Sequence, residues 1–203
     1  MSKFKSPIAY FFITVVVIAL WTLLGPEEQS LGSNVRLVYL HGAWVLTAEA
    51  AFIAAALAGL FGMLLRKDIF HAWSAALGRT GIVFWVIYLP ISLLAMQANW
   101  NGLFLAEPRF RLAMTFAISG LLLQAGLWVL NTKWLTSLAN LLFIMILRVI
   151  FSTAGNIMHP PPSPIFNSGL WNVILFFLTL NFLTCIAGYF LTRFFIKLQT
   201  DRA

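Results

Sequence analysis

The segment Asn34 to Trp44, NVRLVYLHGAW, sets an arginine, a tyrosine and a histidine where a long apolar run begins. A neutral imidazole keeps a lone pair and needs no charge inside a membrane, so His41 can ligate iron or another metal. The plainer reading is a histidine hydrogen-bonded to a neighbouring carbonyl. With a rise of about 1.5 Å per residue from Arg36 or Leu37, His41 falls about one turn inside the helix that the run predicts. Tyr39 and Trp44 read either as interfacial belt aromatics or as walls of a pocket.

Glu49 and Arg148 are charges inside apolar runs. Each costs at least about 2.5–3.5 kcal/mol at membrane depth, so each needs a partner. An intramembrane pair between them is one solution; the other pairs Arg148 with the carboxylate of a ligand near His41, which guanidinium geometry suits. Asn156 and His159 precede three prolines that stop a helix and stiffen the loop, making His159 either a second metal ligand or a solvated loop histidine. His71, beside Phe70 and Trp73, reads as interfacial. In WNGLFLAEPRFR, Trp100 to Arg111, apolar residues stand between Trp100 and the Glu107/Arg109 pair, a composition that can offer a shelf for a flat apolar ring or merely dip into the interface. Asn99, Asn101, Gln97 and Gln124 add polarity that serves a site or glues helices together.

Nothing here has the spacing of a nucleophile with its base, a phosphate-cradling glycine loop or a closed metal cluster, and no enzymatic activity is expected. The single cysteine, Cys185, lies inside the last apolar run, where it has no disulfide partner in the chain.

The elements that must position these residues follow from composition. At 61% hydrophobic and 9% charged over 203 residues, with a mean hydropathy of +0.91, the chain is unlike a soluble domain, in which about a quarter of residues are charged. The expectation is an all-α polytopic membrane protein, one membrane domain over 1–203. Six transmembrane helices are drawn: Pro7 to Leu24, Leu37 to Leu65, Ile69 to Ala98, Leu112 to Leu130, Leu135 to Thr153 and Leu170 to Ile196. In the third, IFHAWSAAL can lie flat at the interface with the crossing starting at Gly81. The small residues from Ala48 to Gly62 suit close packing on a neighbour.

The net charge of +7 is scattered along the connections and forms no cluster, so it marks topology and no nucleic-acid partner is expected. Lys3, Lys5, Arg66, Lys67, Arg79, Lys133, Arg193, Lys197 and Arg202 fall on one side, and Arg36, Arg109 and Arg111 on the other. By the positive-inside rule both termini are cytoplasmic, and the connections Gly25 to Arg36, Asn99 to Arg111 and Ala154 to Gly169 face outward. The basic, apolar N-terminus lacks a cleavage site before Gly25-Pro26 and is read as a retained span.

Several separated pieces resemble one family. VRLVYLHGAW at 35 to 44 is similar to the segment holding the first outer heme-ligand histidine of the heme-handling membrane proteins of system I cytochrome c maturation, the heme exporter C subunit family. The six-span layout matches as well. Trp100 stands at the first tryptophan of that family's outer WWD segment, Glu107 at its aspartate and Arg109 at its arginine; Asn156 and His159 match the end of the next outer motif. The WWD centre is Leu103, Phe104, Leu105 and Ala106 here, two later tryptophans are Ala154 and Gly155, the proline after the first histidine is missing, and no histidine stands near Arg148 or Val149, where the family's second axial ligand falls.

The resemblance implies a protein of the bacterial cytoplasmic membrane that holds or presents heme at the outer face. His41 is then one axial ligand, with His159 the candidate second ligand in place of the missing family histidine; Arg148 or Arg109 lies near the propionates, Trp100 and Glu107 belong to the site, and other membrane subunits are partners. A rival expectation keeps the fold without heme, as a structural or assembly subunit of a respiratory or photosynthetic complex. A third, a small transporter, rests on Glu49 alone.

Overall fold

A computed structural model describes residues 6–154 and 164–201, and all the regular structure in it is helical. The elements are α1 (Pro7–Leu23), α2 (Val35–Leu65), α3 (Asp68–Trp100), α4 (Pro108–Leu130), α5 (Lys133–Thr153) and α6 (Trp171–Thr200). Five of them, α2 to α6, are long and apolar enough to cross a membrane; α1 is an apolar helix of 17 residues. The chain is a helical membrane protein.

Helix ends follow local chemistry. Pro7 opens α1 and Pro108 opens α4, at positions where the missing N–H costs nothing. Asn101 and Asn131 end α3 and α4 in the left-handed region, which asparagine tolerates better than most residues. α3 runs unbroken from Asp68 to Trp100, so IFHAWSAAL is part of one long helix and no separate interfacial segment precedes Gly81. α4 begins four residues earlier than the apolar run, which puts Arg109 and Arg111 in its first turn and not in the connection.

α2 is the hub. It packs along α3 and also meets α5 and α6; α1 lies against α6, and α4 against α3 and α5. The buried positions Ala48, Ala51, Ala55, Gly59 and Gly62 recur every three or four residues, and this narrow stripe brings neighbouring backbones close. A Cβ on Gly62 would sit 2.9 Å from the His71 ring, and one on Gly78 would sit 2.6 Å from Asn140 Oδ1.

Buried polar side chains couple the helices where α3, α4 and α5 meet. The Asn140 amide donates to the Ser74 carbonyl at 2.9 Å and hydroxyl at 3.1 Å, while its carbonyl accepts from Gln124 Nε2 at 2.8 Å. Gln124 is thus helix glue. His71, expected at the interface, is buried instead, its Nδ1 2.6 Å from Ser137 Oγ, because the gap over Gly62 takes its ring. Thr47 donates to Thr184 at 2.7 Å, and the Thr80 and Thr192 hydroxyls meet at 2.9 Å, tying α2 and α3 to α6.

Candidate functional site

At the end of the bundle where α1 leads into α2 and α3 into α4, a cavity of about 210 Å³ opens. From α2 it takes Val38, His41, Val45 and Glu49, spaced three, four and four residues apart. At 100° per residue these share one face. From α3 come Tyr88, Ser92, Ala95, Met96 and Trp100 at the same helical spacing; Glu107, Arg109 and Phe110 from the start of α4 and Phe151 from α5 close it. The structure therefore brings together His41, Trp100, Glu107 and Arg109, four of the residues singled out in the sequence.

The His41 ring sits against Tyr88, centroids 5.5 Å apart and planes tilted by 60°. Glu107 is buried, and its Oε2 accepts from the Phe110 N–H at 2.5 Å, capping α4 ahead of Pro108. One oxygen of the residue at the family's aspartate position is thus held by the helix it starts. Arg109 Nε is buried with no hydrogen-bond partner among the described residues. An unmatched guanidinium N–H costs free energy until an acceptor reaches it, and a carboxylate suits it best. Leu103, Phe104 and Leu105, which follow Trp100, are exposed and offer an apolar surface next to the cavity.

Arg148 is elsewhere. It lies on α5, its Nη1 donating to Glu49 Oε2 at 3.0 Å. It does not line the cavity. The intrachain pair is the arrangement adopted, and it uses one guanidinium nitrogen of Arg148, through Glu49, which itself lines the cavity.

Tyr39 and Trp44 are neither belt aromatics nor cavity walls: both are buried on other faces of α2, Tyr39 against Phe176 and Phe177 and Trp44 stacked on Phe84 with centroids 4.8 Å apart. Asn156 and His159 lie outside the described residues. Among the described residues no group of three or more His, Cys, Asp or Glu stands close enough to hold a metal ion by itself.

The connections around the cavity are laced together. Asn34 donates to the Ala98 carbonyl at 2.8 Å, and Asn99 to the Asn34 carbonyl at 3.4 Å. Arg36 donates to the Gly25 carbonyl at 2.9 Å and pairs with Glu27 at 3.3 Å, so its charge serves the α1–α2 connection. In that connection Glu28 accepts from the Ser30 hydroxyl and from the backbone N–H groups of Ser30 and Leu31, which holds its carboxyl below the ordinary value of 4.5, the Ser30 hydroxyl contributing most.

Sequence reasoning passed over Tyr88, Ser92 and Met96, although their spacing on the third apolar run carried the signal. It also passed over a larger cavity, about 630 Å³, at the opposite end among α3, α4, α5 and α6, bordered by Arg79, Trp128 and Lys133.

The chain matches no protein-family model and no curated protein.

Proposed function

We propose that this is a six-crossing membrane protein, both termini cytoplasmic, that holds or presents heme at the outer face of a bacterial cytoplasmic membrane. The 17 residues of α1 span about 26 Å, enough for a sixth crossing of a bilayer core of about 30 Å with small adjustment. The observation that carries the heme reading is the convergence of His41, Trp100 and Arg109 on one cavity in which Arg109 Nε lacks a partner.

The residues present fit the group. A heme supplies iron for an imidazole and two carboxylates for cations. His41 is the nitrogen ligand in this reading, Arg109 the propionate partner, and Trp100 with Leu103 to Leu105 the apolar face against the ring. His159, which lies outside the described residues, would be the second nitrogen ligand, since the family's own position for it, near Arg148 or Val149, holds no histidine. Arg109 is the cation that lines the cavity, and Arg148 stands beside it through its bond to Glu49. The chain holds and hands on its ligand without making or breaking bonds in it.

One observation favours the rival reading of a structural or assembly subunit without heme. The cavity is smaller than the roughly 300–1,000 Å³ of ordinary ligand sites, so a porphyrin would rest mainly on the outer shelf. Purification in mild detergent separates the two. A Soret band in the purified protein supports heme handling, and a colourless protein that travels with a larger membrane complex supports the rival.

A further inference from the structure

A cavity larger than the one around His41 has no part in the heme reading. It is a wedge of about 630 Å³ between the first three turns of α3, the last turn of α4, the first turn of α5 and the end of α6. Two cations border it. Arg79 lays its guanidinium over the Trp128 ring, 3.9 Å from the centroid, and Lys133 pairs with Asp68 at 2.8 Å. Asp68 is the one carboxylate in the lining, and His71 is held there by Ser137. Gln199 adds a donor, its Nε2 buried with no hydrogen-bond partner among the described residues, while the Thr136 and Thr200 hydroxyls donate to the Thr132 and Ile196 carbonyls. Most of the remaining wall is apolar, and Ile69 and Val129 in it are exposed.

We propose that this cavity takes the phosphodiester headgroup of an anionic phospholipid. Arg79 and Lys133 bind the phosphate oxygens, Gln199 supplies a neutral donor, and the acyl chains descend over Ile69 and Val129. The two sides of the wall ask for one amphipathic molecule: a free phosphate satisfies the cations and leaves the apolar part bare, whereas an uncharged lipid does the reverse. The salt bridge is exposed on both partners, so Lys133 exchanges Asp68 for phosphate at little cost. This inference needs the chain to sit in a bilayer, which its apolar helices carry, and it does not need heme.

The test is native mass spectrometry of the full chain released from mixed micelles holding equal amounts of phosphatidylglycerol and phosphatidylcholine. The expected result is retention of phosphatidylglycerol in preference by roughly tenfold to thirtyfold, the worth of two cations near the surface. Arg79→Gln/Lys133→Gln should bring the ratio to near parity, while Arg66→Gln/Lys67→Gln, which removes the same charge at the same end but outside the wedge, should leave it unchanged. Asp68→Asn should raise the preference, a gain that misfolding cannot produce. Parity in the unaltered chain, equal loss in both double variants, or no gain in Asp68→Asn overturns the proposal. So does displacement of the lipid by inorganic phosphate, which would make the wedge a soluble-anion site.

Discussion

Arg148 Nη1 donates to Glu49 Oε2 across 3.0 Å, fastening α5 to α2 inside two apolar helices. The glutamate side chain is 21% exposed and the arginine 59%, so the guanidinium stands at the outer edge of the pair. Removing one partner leaves the other charged in an apolar setting, which costs more than the pair itself is worth. Glu49→Leu should therefore destabilise the protein by about 2 kcal/mol, and Glu49→Leu/Arg148→Leu should recover most of that loss. Reversible unfolding in mixed micelles measures both. Equal stability of the single and double variants would mean that the two charges do not interact.

Asn140 ties three helices at once, to Ser74 on α3 and Gln124 on α4 from its place on α5. Interhelical hydrogen bonds in membranes are worth about 0.6 kcal/mol each on average, so Asn140→Leu should cost roughly 2 kcal/mol. Gly78→Ala should cost about 1–3 kcal/mol by overpacking, because the new methyl meets Asn140 Oδ1. The same unfolding assay reads both. An Asn140→Leu variant as stable as the parent would remove the network from the account of the fold.

Glu28 provides a pH signature outside the helices. Its folded pKa lies below the ordinary 4.5, so the ordering it gives the α1–α2 connection is fully present above that value. That ordering is lost as pH falls through the depressed folded value. Nuclear magnetic resonance titration of Glu28 should show a midpoint below 4.5, moving up in Ser30→Ala as the strongest acceptor contact disappears. An unchanged midpoint in Ser30→Ala contradicts this.

The orientation is open to labelling. In a Cys185→Ser background, Ser30→Cys should react with a membrane-impermeant maleimide in intact cells, and Thr132→Cys only after lysis. The reverse pattern would put the His41 end of the bundle in the cytosol and remove the outer-face reading.

The helices were readable as apolar runs, and α2, α3 and α5 differ from those runs by only a few residues. α4 extends one turn before its apolar run, because Arg109 and Arg111 have loop-like polarity while the preceding Glu107-Pro108 is an N-cap and first-position proline, a start signal independent of polarity. The Glu49–Arg148 pair was one of two solutions to the cost of buried charge, and the geometry adopts it. The cavity stripe Val38, His41, Val45 and Glu49 was legible as a helical repeat. The fates of Tyr39, Trp44, His71 and Asn140 were not, because each depends on which helix lies opposite, and a single chain of apolar runs does not encode which neighbours meet.

In the proposed heme reading, His41 and Arg109 together hold the group at the α2–α3–α4 end of the bundle. Hemin titration of the purified protein, followed in the Soret region, reads that binding. A saturable band shift is expected, lost in His41→Ala and weakened roughly tenfold to hundredfold in Arg109→Gln with the band position kept, since one charge-assisted bond is worth about 1.5–3 kcal/mol. An identical titration in the unaltered chain and in His41→Ala, or no saturable shift in either, would contradict it.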